Sequence, residues 1–179
     1  MRTYLISDTH FNHDNIATYC ERPADFTELI VKRWNERVKN EDLVIHLGDV
    51  AIGNRSRAQA VIDRLNGRKI LVRGNHDRQH TLTWWMLHGF DFACDAMIFR
   101  GNWLTHKPSA VLPERCNLNI HGHLHNIWHG FHPNNGENHL NLRQPWQRLF
   151  SVEYTNYCPI EFEEFLSHPD KYQSCGPKQ

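Results

Sequence analysis

The sequence of 179 residues has no excess of charge, no cysteine pair with metal-binding spacing and no apolar run long enough to cross a bilayer. Its twenty basic and twenty acidic residues cancel, so we expect binding neither to an anionic membrane nor to long duplex nucleic acid, both of which attract basic proteins. Its five cysteines are scattered, which excludes a thiolate zinc cluster and, without a signal peptide, indicates a reducing compartment. We therefore expect a cytoplasmic protein.

Histidine, by contrast, is unusually abundant, with fourteen residues. Imidazole is the commonest metal ligand and the natural acid–base group near neutral pH. The positions of these histidines along the chain therefore decide which function the sequence predicts.

The domain organisation follows from length and pattern. No linker-like stretch divides the chain, and its length suits one domain with a substantial core, which we place at residues 1–166, followed by a frayed C-terminal tail at residues 167–179. Strand and helix patterns alternate, as is typical of an α/β fold in which helices cover a sheet. The predicted strands are Thr3–Ser7, Leu43–Leu47, Lys69–Arg73, the hairpin Phe92–Phe99 and Trp103–Thr105, Leu118–Ile120 and Leu149–Tyr154. The predicted helices are Ala24–Val38, Arg57–Leu65, Thr81–Leu87 and Ile160–Leu166, and residues 126–138 are predicted to form a loop.

Potential metal ligands follow several of these strands. Asp8 and His10 are two residues apart, so in an extended segment their side chains point to the same side. Asp49 follows Gly48, at the strand end where ligands of α/β sheets sit. The complete set of candidates is Asp8, His10, Asp49, Asn75, His76, His106, His123 and His125. Oxygen and imidazole donors without thiolate suit manganese, iron, zinc or cobalt, and two such ions sharing a carboxylate can clamp a phosphate.

The alternative interpretation of each candidate is a helix cap or a buried polar network. That interpretation would be preferred for an isolated Gly-Asp, whereas several strand ends of this kind in one small domain favour a metal centre. Two further histidines are assigned structural roles, His46 as a hydrogen-bonded core residue and His121 as a strand residue beside Gly122.

The motifs Asp-x-His, Gly-Asp, Gly-Asn-His-Asp, a lone strand-end histidine and Gly-His-x-His occur here in that order. Together they resemble the calcineurin-like metallophosphoesterase superfamily over residues 4–166, and the segments Cys20–Pro23 and Leu47–Val50 resemble its small, single-domain bacterial and phage branch. The resemblance implies an α/β fold, a four-layer αββα sandwich of two mixed β-sheets flanked by helices, with a dimetal site at the strand ends.

The resemblance also implies a role for each motif residue. One metal would be bound by Asp8, His10 and His125, the other by Asn75, His106 and His123, and Asp49 would bridge the two. His76 would protonate the leaving oxygen and Asp77 would orient His76. The cofactors implied are two divalent ions, manganese in the first place with iron, zinc, cobalt or nickel as alternatives, which hold a bridging hydroxide as the nucleophile.

Substrate contacts are sought in the loops next to the motifs. His13, Arg22 and Arg78 are candidates to bind phosphate oxygens, with a surface charge or a structural salt bridge as the alternative interpretation. The predicted function is metal-dependent hydrolysis of a phosphomonoester or phosphodiester of nucleotide type. A nuclease acting on single-stranded nucleic acid and a non-catalytic scaffold of the same fold are the alternatives, and a homodimer is left open.

Overall fold

The computed structural model describes residues 1–126 and 144–172, so all but the first residue of the predicted loop 126–138 and the end of the predicted tail lie outside the described residues. The strands are β1 Thr3–Ile6, β2 Leu43–His46, β3 Arg68–Val72, β4 Phe92–Cys94, β5 Ala96–Phe99, β6 Asn102–Thr105, β7 Leu118–His121, β8 Gln147–Leu149 and β9 Ile160–Glu161. The helices are α1 Asp14–Tyr19, α2 Phe26–Arg37, α3 Arg55–Ile62, α4 Leu82–Leu87 and α5 Phe162–Ser167, with 3₁₀ turns at His76–Gln79 and Pro169–Tyr172.

The strands form two sheets, of order β4-β3-β2-β1-β9 and β5-β6-β7-β8. In the first sheet β9 is antiparallel to β1 and the other strands are parallel, and in the second sheet only β5 is antiparallel to its neighbour. The prediction of two mixed sheets with flanking helices is therefore confirmed. No helix among the described residues has the length and apolar character needed to cross a membrane.

The register of each sheet brings the strand ends level. In the first sheet Ile6 pairs with His46, and His46 pairs with Leu71, so β1, β2 and β3 reach one edge together. In the second sheet Thr105 pairs with His121 and His121 with Leu149. The residues that come next in the chain are the predicted ligands, and they consequently meet at one end of the sandwich.

The core explains why the central strands are nearly continuous apolar runs. Leu5 and Ile45, at the centre of the first sheet, are fully buried, as expected for parallel strands that are covered on both faces. Trp34 of α2 packs in this core and donates a hydrogen bond from Nε1 to the backbone oxygen of Asn66 at 2.9 Å. This packing holds the ligand-bearing turns on a rigid scaffold.

The predicted hairpin strand Phe92–Phe99 is wrong, because the structure divides it at Asp95. Cys94 ends β4 in the first sheet, and Ala96 begins β5 in the second. Asp95 turns outward, where its carboxylate accepts hydrogen bonds from Arg73. The chain therefore passes from one sheet to the other within a single apolar run, and period alone does not reveal such a crossing.

The last part of the chain also differs from the prediction. β8 ends at Leu149, and turns replace the predicted extension to Tyr154. In these turns the Tyr154 nitrogen donates to the Ser151 oxygen, and the Thr155 nitrogen donates to the Val152 oxygen. The structure also continues past residue 166, because Tyr172 is buried and its ring packs against Phe165.

Candidate metal centre

Two turns, one after β1 and one after β2, present the first ligands in a left-handed backbone conformation. The φ angles are 56° at Asp8, 47° at His10 and 56° at Asp49, and those of His123 and His125 are 73° and 51°. Residues other than glycine rarely adopt this conformation, and it concentrates at functional sites where the surroundings enforce it. Here the two turns enforce each other, since Asp8 N donates to Gly48 O at 2.9 Å and His10 N to Asp49 O at 3.0 Å.

The first group of candidate ligands, hereafter the first ligand group, consists of Asp8, His10 and His125, all three buried. The Asp8 Oδ1 atom lies 4.0 Å from His10 Nε2 and 3.8 Å from His125 Nε2. Burial raises the pKa of Asp8 and lowers the pKa of His10 well below its ordinary value. The three donor atoms thus lie close together, although Asp8 and His10 follow a strand of the first sheet and His125 follows a strand of the second.

The second ligand group consists of Asp49, His106 and His123, with Asn75 beside it. His106 Nε2 lies 3.2 Å from Asp49 Oδ2 and 3.0 Å from Asn75 Oδ1, while His106 Nδ1 donates to Leu47 O at 2.8 Å. Burial lowers the pKa of His106, but the Asp49 carboxylate outweighs it and raises the pKa to about 9. The bond from Nδ1 to Leu47 leaves Nε2 directed into the centre.

Asp49, a member of the second group, also faces the first. Its Oδ2 atom is 3.6 Å from His10 Nε2 in one group and 3.2 Å from His106 Nε2 in the other, while Oδ1 accepts the His76 amide at 2.9 Å. Burial opposes ionisation of Asp49, yet the charge and hydrogen bond of His106 hold its pKa far below the usual range. This is the arrangement required of a carboxylate that bridges two cations.

The residues present fit a pair of divalent cations. Neither ring nitrogen of His10 has a hydrogen-bond partner among residues 1–126 and 144–172, although both are buried, and such atoms are costly unless a ligand satisfies them. Two buried carboxylates, Asp8 and Asp49, repel each other without a cation between them. A side chain at Gly74 would overlap Asp49 Oδ1, and one at Gly122 would overlap Asp8 Oδ2, so glycine is required where these carboxylates approach the backbone.

Glu153 is a site residue that the motifs do not reveal. Its Oε1 atom lies 3.2 Å from His125 Nδ1 and accepts hydrogen bonds from Arg22 at 2.9 Å and 2.6 Å. A carboxylate on the far nitrogen of a ligating histidine fixes its tautomer and orientation. Only an acidic residue within the apolar stretch at residues 149–154 hints at this role in the sequence.

The contacts of Arg22 are those of a structural salt bridge, which was the alternative to its predicted phosphate-binding role. Its guanidinium is buried and donates to Asp8 O at 2.7 Å, to Thr9 O at 2.9 Å and to Glu153. These contacts join the turn after β1 to the carboxylate that holds His125. The structure therefore makes Arg22 a positioning residue of the first ligand group, as the alternative of a structural salt bridge anticipated.

Asp77 also differs from its predicted role. Its carboxylate accepts hydrogen bonds from the amides of Asp49 at 2.7 Å, Gly74 at 2.8 Å and Val50 at 2.8 Å. Burial and the charge of Asp49 raise the pKa of Asp77 to about 6, against the effect of those donors. The Asp77 carboxylate is therefore bound to the backbone of the turn that carries Asp49, whereas the resemblance assigned it to His76.

Of the three remaining predicted site residues, His13 and His76 line one cavity and Arg78 does not. His13 and His76 line a cavity of about 370 Å³ with the ligand groups, and their ring centroids are 6.1 Å apart. His76 is exposed and its ring lies 5.3 Å from that of His10. Arg78 lies outside this cavity and forms an ion pair with Asp95 at 3.0 Å. The structure thus brings His13 and His76 to the same cavity and places Arg78 in a different one.

His46 is a buried, neutral residue that forms hydrogen bonds with the turns after β1 and β2. Its Nδ1 atom accepts the Gly48 amide at 3.1 Å and its Nε2 atom lies 2.9 Å from Thr9 Oγ1, which donates to Val50 O at 2.8 Å. Burial lowers the pKa of His46 to about 3. The predicted role as a hydrogen-bonded core histidine agrees with these contacts.

The stability of the metal-free protein should depend on pH through His46. In the unfolded chain this imidazole takes up a proton below about pH 6.5, whereas the folded protein excludes that proton down to about pH 3. The contribution is complete above the unfolded pKa and decreases as the pH falls. We expect His46→Gln to reduce the slope of unfolding free energy against pH, between about pH 6 and 4, by about 1.4 kcal/mol per pH unit.

Urea unfolding at a series of pH values measures this slope. The exposed His168 provides the control, since His168→Gln should leave the slope unchanged. Equal slopes for the wild type and His46→Gln would contradict the assignment of a buried neutral imidazole.

Comparison with known proteins agrees with this geometry. The chain is 32% identical over 171 residues to an uncharacterized protein of Methanocaldococcus jannaschii, covering 90% of this chain and 88% of that protein. It is 36% identical over 83 residues to the gene 66 protein of Mycobacterium phage D29, covering 44% of this chain and 42% of the phage protein. The crystal structure of a protein of unknown function from Aquifex aeolicus, AQ665, is similar with a TM-score of 0.67 and 27% identity, covering 93% of this chain and 98% of that one. The family model for calcineurin-like phosphoesterases matches residues 1–173. The chain therefore belongs to the calcineurin-like phosphoesterase family, a family of metal-dependent phosphoesterases.

Proposed function

We propose that this protein hydrolyses phosphate esters with two divalent cations, manganese in the first place, held by the two ligand groups. The observation that carries the proposal is the position of Asp49, one oxygen of which faces a buried histidine in each group. When bound, the cations supply a hydroxide nucleophile at neutral pH and neutralise the charge of the phosphate. Oxygen and imidazole donors, with an amide at Asn75, suit manganese.

The chain's own residues complete the reaction. His76 is exposed at the mouth of the cavity, and its backbone amide is fixed to Asp49 Oδ1, so its imidazole stands beside the bridging carboxylate. From there it donates a proton to the leaving oxygen. His13 lies in the same cavity with its Nδ1 atom unpartnered among the described residues, and it binds a phosphate oxygen.

Metal reconstitution tests the proposal. We expect protein stripped of metal to hydrolyse neither p-nitrophenyl phosphate nor bis(p-nitrophenyl) phosphate, and manganese to restore turnover of at least one of them. Calorimetric titration with manganese measures binding separately. Two bound ions without turnover would favour the scaffold alternative, and failure to bind manganese would overturn the proposal.

His76→Ala tests the role of the general acid. Loss of a positioned acid lowers kcat by about 10²–10⁴-fold, and the loss is largest for a leaving group that needs a proton. We therefore expect a large decrease for an alkyl phosphate ester and a smaller one for p-nitrophenyl esters, whose phenolate leaves without protonation. His168→Ala, at an exposed position far from the ligand groups, is the control. An equal decrease for both leaving groups would contradict proton donation by His76.

A further inference from the structure

A second cleft borders the metal centre at Asn75 and His106, and His76 does not line it. The cavity that contains His10, His13 and His76, here called the His76 cleft, has a volume of about 370 Å³. The second cavity, of about 280 Å³, is called the Arg78 cleft, and its lining residues include Arg73, Arg78, Trp103 and Lys107. Asn75 lines both clefts. A phosphate held at the metal centre would therefore lie next to both clefts.

The Arg78 cleft carries excess positive charge. Asp95 Oδ1 lies 2.9 Å from Arg73 Nη2 and 3.0 Å from Arg78 Nη2, so a single carboxylate faces two guanidinium groups. Lys107 is exposed on the same lining. Three cations and one carboxylate leave two positive charges in this cleft, beside the ligand His106.

The Arg78 cleft also has an aromatic wall. In β6 the buried residues Asn102 and Leu104 alternate with the half-buried residues Trp103 and Thr105, which both line the cleft. Trp103 therefore stands on the face of the second sheet turned away from the core. An indole at the edge of a basic groove is suited to stack on a planar ring, most simply a nucleobase.

The position of His76 assigns the two clefts to the two sides of the substrate. The leaving oxygen must face His76, so the leaving group occupies the His76 cleft, and whatever stays on phosphorus extends toward Asn75 and the Arg78 cleft. A phosphomonoester has one organic substituent and leaves the Arg78 cleft empty, whereas a phosphodiester fills both.

On the basis of the proposed function, we propose that the substrate is a phosphodiester whose retained substituent carries an aromatic ring and a second anionic group, such as a nucleoside with a further phosphate. In the reaction hydroxide forms the new bond to phosphorus, and the bond from phosphorus to the leaving oxygen breaks. The alcohol leaves with a proton from His76, and the retained nucleoside departs as a phosphomonoester. The ring contacts Trp103, and the second phosphate contacts Arg78 and Lys107.

Two chromogenic substrates with the same leaving group isolate the Arg78 cleft. Thymidine 5′-(p-nitrophenyl phosphate) and its 3′-phosphorylated form both release p-nitrophenolate and differ only in the retained nucleoside. We expect the 3′-phosphate to raise kcat/KM of the manganese-loaded protein about tenfold, the effect of one charge-assisted hydrogen bond. Calorimetry should show the same preference in binding, for thymidine 3′,5′-bisphosphate over thymidine 5′-monophosphate.

Variants of the two exposed cations test the assignment. Lys107→Ala and Arg78→Ala should each lower the ratio of kcat/KM between the two substrates toward one. Lys39→Ala, an exposed lysine before β2 at the opposite end of the first sheet, should keep the wild-type ratio. A ratio of one in the wild type, or an equal fall in the Lys39 variant, would overturn the inference while hydrolysis of bis(p-nitrophenyl) phosphate still supported the proposed function. Hydrolysis of p-nitrophenyl phosphate without that of the diester would also overturn the inference, whereas absence of both would overturn the proposed function itself.

Discussion

Asp49→Asn is expected to remove at least one of the two manganese ions and to lower kcat by at least about 10³-fold. One carboxylate oxygen faces a histidine of each ligand group, so both sites lose the same negative charge at once. An asparagine oxygen keeps the shape but cannot neutralise two cations. Equilibrium dialysis with metal analysis measures the ions bound, and hydrolysis of bis(p-nitrophenyl) phosphate measures kcat.

The matched control for this variant is Asp25→Asn. Asp25 is exposed at the start of α2 and its side chain makes no capping hydrogen bond, so the same chemical change there should alter neither measurement. Retention of two ions and of normal turnover by Asp49→Asn would show that this carboxylate does not bridge a metal pair.

Arg22→Met is expected to lower the free energy of unfolding of the metal-free protein by about 3–5 kcal/mol. The side chains of Arg22 and Glu153 are 0% and 3% exposed, so removal of the cation leaves a buried carboxylate with His125 alone as its counter-charge. It also leaves the backbone oxygens of Asp8 and Thr9 without a donor. Urea denaturation measures the loss.

The chain offers an exposed pair of the same chemistry as a control. Arg64 and Glu28 also form a bidentate ion pair, but their side chains are 45% and 63% exposed. Arg64→Met should therefore cost less than about 1 kcal/mol. The double variant Arg22→Met with Glu153→Gln should cost less than the sum of the single variants, because neither then leaves a charged partner behind. Equal losses of unfolding free energy in Arg22→Met and Arg64→Met would show that the buried Arg22 ion pair stabilises the protein no more than the exposed one.

The sequence predicts most of the candidate ligands because each motif follows a strand whose register brings its end level with the others. Strand identity can be recognised from short β-branched runs such as that of β2, and a candidate ligand one to four residues beyond a strand end lies close to that end. The position of Asp49 next to a histidine of each ligand group is harder to derive. It depends on the two interlocked turns, whose left-handed residues no propensity indicates.

Residues that act through others could not be assigned in this way. His76 and Asp77 are neighbours in the chain, but the turn that begins at His76 directs one side chain outward and buries the other against three backbone amides. Arg22 and Glu153 are 131 positions apart and meet only after both sheets have formed. The sequence therefore suggests a contact between the neighbours His76 and Asp77, and gives no sign of the contact between Arg22 and Glu153.

Both ligand groups draw their members from the two sheets at once. Asp8 and His10 follow β1 and Asp49 follows β2, whereas His106 follows β6 and His123 and His125 follow β7. Each cation would consequently act as a non-covalent cross-link between the halves of the sandwich, and the halves could not part without releasing it. A ligand bound only by the native state raises the free energy of unfolding roughly in proportion to the logarithm of its free concentration. The stability of this fold would therefore rise with the concentration of free metal.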